Sequence, residues 1–431
     1  MTAVLTVEKY AEQTAEQILR LHGYAVDDVQ ALARSQECFA VRTQSRRIAL
    51  ADGLEYRSWC VELGQDSFTN VFQLAVDLRA NDVQAISSDR GFPLRARLDG
   101  ARRLAAVSGS FSFSSDDKGY QPIEPCLDLC CREGRLVSLS TATKPGLIDL
   151  ADGLFLGPVP AVGTLTVDGR PFTWSGSKDG HRQGTVPANT LTVFGPANCR
   201  VDYAAAARTG FVRYVDRAGN VTPLRHAAVD YTVGWRDGDL VITGRRQGGG
   251  ADLFGSAFVL RAGLASDPRF RVGARVLVRS VGGHSVKAMR SAVSIGPNAY
   301  DATREGAHGY DESLGVSPFR PVRYARTLVH QDGGRLCFRV FDGAPLTHVF
   351  RGVTPAEVVG LYERDGIDPA RVYHLDGGQS SKMVFNRAGA ITVAGSLHYL
   401  RWPRHASQPF TWHGIDGREL NSCFLVSARP A

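Results

Sequence analysis

The residues best suited to chemistry are concentrated in one stretch, His374-Leu375-Asp376-Gly377-Gly378-Gln379-Ser380-Ser381-Lys382. An apolar segment, 371–375, leads into an acidic residue, a Gly-Gly turn and two hydroxyls, and Met383-Val384-Phe385 returns to apolar character. A carboxylate at Asp376 could move a proton, orient a sugar hydroxyl or hold a metal. Consecutive backbone N–H groups of such a turn can cradle an anion. The same pattern also serves a plain hairpin turn. His374 offers an acid or base titrating near neutrality, or a hydrogen-bonded core residue.

Three further segments accompany it. Ser108-Gly109-Ser110 follows an apolar stretch, Leu104–Val107, and offers hydroxyl donors beside a backbone that can approach a ligand closely. Arg326-Thr327 opens one strand of a pair joined at Asp332-Gly333, and the second strand ends at Asp342-Gly343. A guanidinium at 326 suits a phosphate or a carboxylate. Ser294-Ile295-Gly296-Pro297 places a defined loop after another apolar stretch.

In this order the segments resemble the phosphodiester glycosidase family, across about residues 68–425. That family's final motif carries Asp-Gly-Gly and hydroxyls where this chain has Asp376, Gly377, Gly378, Ser380 and Ser381. This chain departs from it at Ser108, Ser110, His374, Gln379 and Lys382. The resemblance implies cleavage of the bond between an anomeric carbon and a phosphate oxygen. It implies that Asp376, Asp342 and Arg326 belong to the catalytic set, and His374, at a position where this chain departs from the family, is a new candidate acid or base within it. Ser108, Gly109, Ser110, Thr327, Gly377, Gly378, Gln379, Ser380, Ser381 and Lys382 would then bind substrate. Arg326, Lys382 and the Gly377–Gly378 N–H groups would hold the phosphate, with Asp376 or Asp342 activating water or supporting the sugar cation. Lys382 in place of a hydroxyl favours a more anionic ligand, such as a nucleotide or sugar phosphate. A non-hydrolytic transferase or lyase, or a binding protein without catalysis, fits the same departures. Asp77, Asp342 and Asp376 are hard oxygen donors that could take Mg²⁺ or Ca²⁺. Trp174 and the loop 175–184, with Asp179, His181 and Arg182, are candidates for covering a sugar or base.

These residues need a scaffold. The 431 residues carry a formal charge of +7, and only six of the 50 basic residues are Lys. The Arg are scattered in ones and twos, without the focused basic surface that nucleic-acid binding requires. The expected partner is a small anionic metabolite, and a homo-oligomer is compatible with the chain. Eight Cys are too few for a disulfide scaffold, and Cys126, Cys130 and Cys131 lack a second ligand pair for zinc. With neither a signal-like N-terminus nor a long apolar run, a cytoplasmic protein away from membranes is expected.

Helical spacing over 7–22, and again over 29–33, predicts a helical N-terminal extension covering residues 1–65. From 66 to 431 the texture predicts an α+β domain of mixed and antiparallel sheets with few helices. Short apolar runs such as 71–78, 162–167, 191–194 and 275–278 are separated by Asp-Gly turns. One helix start is explicit: Thr354 as N-cap, Pro355 at the first position and Glu357 in capping-box position.

Overall fold

The computed structural model describes residues 46–64, 67–100, 102–111, 128–177, 190–195, 200–201, 214–215, 229–247, 256–263, 267–304, 319, 321–343, 352–387, 389–395, 400–401, 411–412 and 418–430. The fold is α+β and dominated by strands. Four large sheets account for most of the described chain, and three of them are wholly antiparallel.

A six-stranded sheet runs in the order Arg46–Ala51, Leu54–Gly64, Ser67–Asp77, Arg335–Asp342, Arg326–Asp332, Val372–His374. Side chains alternate across it with period two. Phe72, Leu74, Val76, Leu336, Phe338 and Val340 enter the main core. There they meet Ala105, Val107, Met383, Phe385, Phe424 and Val426 of a five-stranded sheet. That second sheet has the order Ala390–Ala394, Met383–Arg387, Arg103–Ser108, Leu420–Ala428, Asn81–Phe92. Phe338 and Phe424 stack across the gap with ring centroids 5.4 Å apart.

On the other face of the six-stranded sheet, Val71, Leu328 and Phe341 pack against Val358, Leu361 and Tyr362 of the helix α1, Pro355–Arg364. The expected capping box is formed. Thr354 Oγ1 accepts from the Glu357 N–H at 3.1 Å, and Glu357 Oε2 accepts from the Thr354 N–H at 2.9 Å.

An eight-stranded mixed sheet closes on itself, because Val162–Val167 pairs with both Arg170–Gly176 and Arg275–Val281. Closure leaves those strands no open edge. Trp174 is buried in this sheet's core with Tyr231 and Phe258. It is therefore a packing residue, where a stacking platform for a sugar or base had been one expectation. The accompanying residues 178–184 lie outside the described residues. A second five-stranded sheet joins the two cores. Cys130, Leu147 and Val293 point into the first, while Cys131, Ile148 and Ala292 point into the second.

The N-terminal expectation changes with the structure. Arg46–Ala51 and Leu54–Gly64 are strands, and the latter pairs along its length with Ser67–Asp77. Tyr56 and Leu54 belong to the main core, so the sheet takes in residues 46–64 where a helical extension was expected. The helices expected over 7–22 and 29–33 lie outside the described residues.

Candidate functional site

The four segments singled out by sequence converge. The Arg326 and His374 strands are antiparallel neighbours, with Leu328 opposite His374. Beyond that register the Leu375 N–H donates to Thr327 O at 2.8 Å, and the Gly378 N–H to Ala325 O at 2.8 Å. Asp376 therefore sits across from Arg326. The Asp376 N–H donates to Gly109 O at 2.9 Å, bringing in the Ser108–Ser110 loop. The Gly296 N–H donates to His374 O at 2.7 Å, and the His374 N–H to Pro297 O at 3.0 Å. Ser108 and Thr327 share a hydroxyl–hydroxyl bond of 3.1 Å, while Ser110 Oγ donates to Ser294 O.

A small open cleft lies where the Ser108–Ser110 loop and the Asp376 turn meet the start of the Leu420–Ala428 strand. Gly109, Ser110, Asp376 and Ser380 line one side; Arg418, Glu419, Leu420, Asn421 and Ser422 line the other. The Gly377 N–H donates to Asp376 Oδ1 at 3.0 Å. Burial raises the Asp376 carboxyl above its usual value; the Arg418 charge, the Ser380 hydroxyl and the Gly377 N–H pull it partly back. A carboxyl of this kind in a cleft is suited to exchanging protons. Tyr324 covers the turn: its ring is so close to Gly378 that a Cβ there would lie 2.1 Å from Cε1. Burial raises the Tyr324 phenol, and the charges of Asp376, Arg418 and Arg326 all reach it.

The other expected site residues are not on the cleft lining. Arg326 is buried, donating from Nε to Val353 O at 2.8 Å and from Nη2 to Val322 O at 3.2 Å. Desolvation brings its guanidinium down to about 10. These bonds hold the chain entering α1, where a phosphate ligand had been expected. Lys382 is buried too, and its Nζ donates to Arg418 O, so its charge braces the cleft wall from behind. His374 is buried with its ring edge-on to Phe319, centroids 5.1 Å apart. Asp342 is buried; its Oδ1 accepts from the Gly343 N–H at 2.9 Å and its carbonyl from Thr69 Oγ1 at 2.9 Å. Ser108, Thr327 and Ser381 are fully buried. Gln379 belongs to the short 3₁₀ turn Gly378–Ser380.

That turn also explains why the expected N–H cradle does not form. The N–H groups of Gly377 and Gly378 serve Asp376 and Ala325, and those of Ser380 and Ser381 serve Gly377 O and Gly378 O. All four are used internally.

Among the described residues no three His, Cys, Asp or Glu side chains are grouped as a metal site would need. Asp77 and Asp342 cannot share an ion. They face Arg335 and Asn70 at opposite ends of one ladder, roughly 23 Å apart at the usual strand rise. Asp77 is instead paired with Arg79 at 2.7 Å, which holds its carboxyl down at about 2. Among the described residues no helix is long and apolar enough to cross a membrane.

Sequence reasoning missed Tyr324 and the segment Arg418–Ser422. Arg418 is one of many scattered Arg, and nothing in its local sequence marks it. Only the placement of the last strand beside Ser108–Ser110 does so.

Compared by sequence, the chain matches no protein-family model and no curated protein. By structure it is similar to a hypothetical protein from Synechocystis, with TM-score 0.52 and 14% identity, over 90% of this chain and 64% of that one. This chain therefore spans less than two thirds of that protein. More distant, partial likenesses are a Burkholderia pseudomallei protein described as exported and the zebrafish N-acetylglucosamine-1-phosphodiester alpha-N-acetylglucosaminidase catalytic domain. The first gives TM-score 0.45 and 18% identity, over 83% of this chain and 74% of that one. The second gives 0.41 and 12%, over 90% and 88%. At these identities the likeness is one of fold.

Proposed function

We propose that the chain is a hydrolase cleaving a glycosyl–phosphate bond in a small anionic metabolite, at the cleft between Asp376 and Arg418. One observation carries the reading. Two of the motif segments that resemble phosphodiester glycosidases, Ser108–Ser110 and the Asp376 turn, line one cleft, and Asp376 is the carboxyl from those segments that lines it. Its raised proton affinity suits proton exchange with a water or a leaving oxygen. A phosphate ester leaves readily, so the remaining tasks are to support an oxocarbenium-like centre and the departing charge. Ser110 and Ser380 line the same wall with their hydroxyl hydrogens given to Ser294 O and Asp376, which leaves their oxygens to accept from a ligand, and Tyr324 closes the turn behind it.

His374, Asp342, Arg326 and Lys382 support this site in the proposal without touching substrate. Their burial keeps the turn and the cleft wall in place.

The test is a panel of glycosyl phosphodiesters incubated in ¹⁸O-labelled water, with both products read by mass spectrometry. Label in the released sugar is expected. Asp376→Asn should lower turnover by roughly 10²- to 10⁴-fold, the usual worth of a positioned acid or base. Products without label would indicate transfer or elimination. No cleavage of any diester, or full activity in Asp376→Asn, would refute the proposal.

A further inference from the structure

Among the described residues the buried cations are committed. Arg261 pairs with Asp230 at 2.6 Å, Arg339 with Asp365 at 2.8 Å and Lys144 with Asp128. Arg326 and Lys382 donate to backbone carbonyls. Arg418 differs. It lines the cleft, and among the described residues its guanidinium forms no ion pair. Its backbone is anchored, because Arg418 O takes the bond from Lys382 Nζ and Leu420 pairs with Phe92 in the sheet. The neighbouring acid, Glu419, is laid along Gly91, with Oε2 2.9 Å from where a Gly91 Cβ would sit. Asp376 is near enough for its charge to interact with Arg418, yet the two make no ion pair. A held backbone, a guanidinium that pairs with no described acid and polar side chains on the facing wall are what recognition of a small anion needs.

We infer that Arg418 is the anion receptor of this cleft, taking one phosphoryl or carboxylate group of a small ligand while Ser110 and Ser380 meet its neutral part. The inference rests on the cleft assigned above but not on the reaction proposed for it. It gives Arg418 the role that the motifs suggested for Arg326 and Lys382. Lys382 then acts as a positioning residue, holding the Arg418 backbone.

The test is titration of the intact protein with inorganic phosphate, methyl phosphate and acetate, followed by calorimetry. Wild-type protein should bind at least one of them. Arg418→Gln should weaken that binding by about 10- to 100-fold, the range expected for losing charged hydrogen bonds. Arg418→Lys should lose less, because it keeps the charge without the fork. Phosphate esters favoured over acetate would identify a phosphoryl ligand; the reverse would identify a carboxylate. The melting temperature of Arg418→Gln should stay at the wild-type value, since the anchoring bond uses the backbone oxygen. Asp376→Asn should bind the anion at least as well as wild type, because it removes a nearby negative charge. Equal affinity in wild type and Arg418→Gln, or no anion binding by wild type, overturns the inference. Lost binding in Arg418→Gln together with no diester cleavage by wild type would leave Arg418 as receptor and refute only the hydrolase reading.

Discussion

The two glycines of the Asp376-Gly377-Gly378 turn should respond very differently to one added methyl group. Gly378 has φ +62°, and a Cβ there would sit 2.1, 2.8 and 2.9 Å from Cε1, Cζ and Oη of Tyr324. An L-residue in the left-handed region costs about 1–2 kcal/mol. Forcing a packed ring aside costs a further 1–3 kcal/mol or so. Gly378→Ala should therefore lose roughly 2–5 kcal/mol. Gly377 has φ −111°, an extended conformation open to any residue, and its Cβ would come no closer than 3.2 Å, to Ala325 O. Gly377→Ala should stay within about 1 kcal/mol of wild type, since the methyl group also restricts the unfolded chain. Urea denaturation of both variants gives the difference directly. Adding Tyr324→Ala to each background isolates the steric part, which should appear as a coupling of about 1–3 kcal/mol with Gly378→Ala. Equal stability of the two glycine variants would refute the packing account of the turn. Zero coupling to Tyr324 would leave only the backbone conformation as its cause.

Arg326→Lys should destabilise by about 2–3 kcal/mol, because an ammonium cannot reproduce the Nε and Nη2 bonds to Val353 O and Val322 O. Anion affinity at the cleft should be unchanged, and a selective loss of affinity at wild-type stability would contradict its structural role. His330 is buried beside Tyr362 and Arg339, and burial brings its imidazole down to about 3. The folded state then binds fewer protons than the unfolded one, so stability is intact above pH 6.5 and falls as pH drops toward 3. Between pH 6.5 and 4.5 the loss is roughly 2 kcal/mol. His330→Gln should remove that slope, and parallel pH profiles for the two proteins would refute the assignment. Thr354→Ala removes the side-chain arm of the capping box and should lower stability by about 1 kcal/mol in thermal denaturation. An unchanged melting temperature would mean that α1 is held by its apolar face alone.

Local signals foretold local structure. Thr354, Pro355 and Glu357 together specified a helix start, because capping is settled within four residues. The Asp332-Gly333 turn and its flanking apolar runs specified the Arg326–Asp332 and Arg335–Asp342 hairpin for the same reason. The Leu54–Gly64 strand was not legible, since its alternation of Tyr56, Ser58 and Cys60 with charged neighbours acquires meaning only when Ser67–Asp77 lies beside it. Helical spacing further upstream gave no hint of where that strand begins. Trp174, beside a polar loop, left a binding platform and a core residue both open from sequence, and closure of the eight-stranded sheet makes it a core residue.

The site shows the same division between local and long-range information. Three motif glycines are sterically required: a Cβ would lie 2.6 Å from Ser422 Oγ at Gly109, 2.8 Å from His374 O at Gly296 and 2.1 Å from Tyr324 at Gly378. Their neighbours Arg326, Asp342, His374 and Lys382 are buried in bonds and contacts that hold these close approaches. Much of the recognisable pattern is thus a backbone specification, which a sequence records as residue types at fixed offsets. The groups that would meet a ligand from the opposite wall are Arg418, just ahead of the last strand, and Asn421 within it. Their position is fixed by sheet pairing with residues more than 300 places earlier in the chain. A motif can therefore keep its order while the ionic contact to the ligand moves elsewhere. Here Arg326 and Lys382 lie off the cleft, Arg418 is the anion partner inferred above, and Asp376 is the motif's one ionisable group on the cleft.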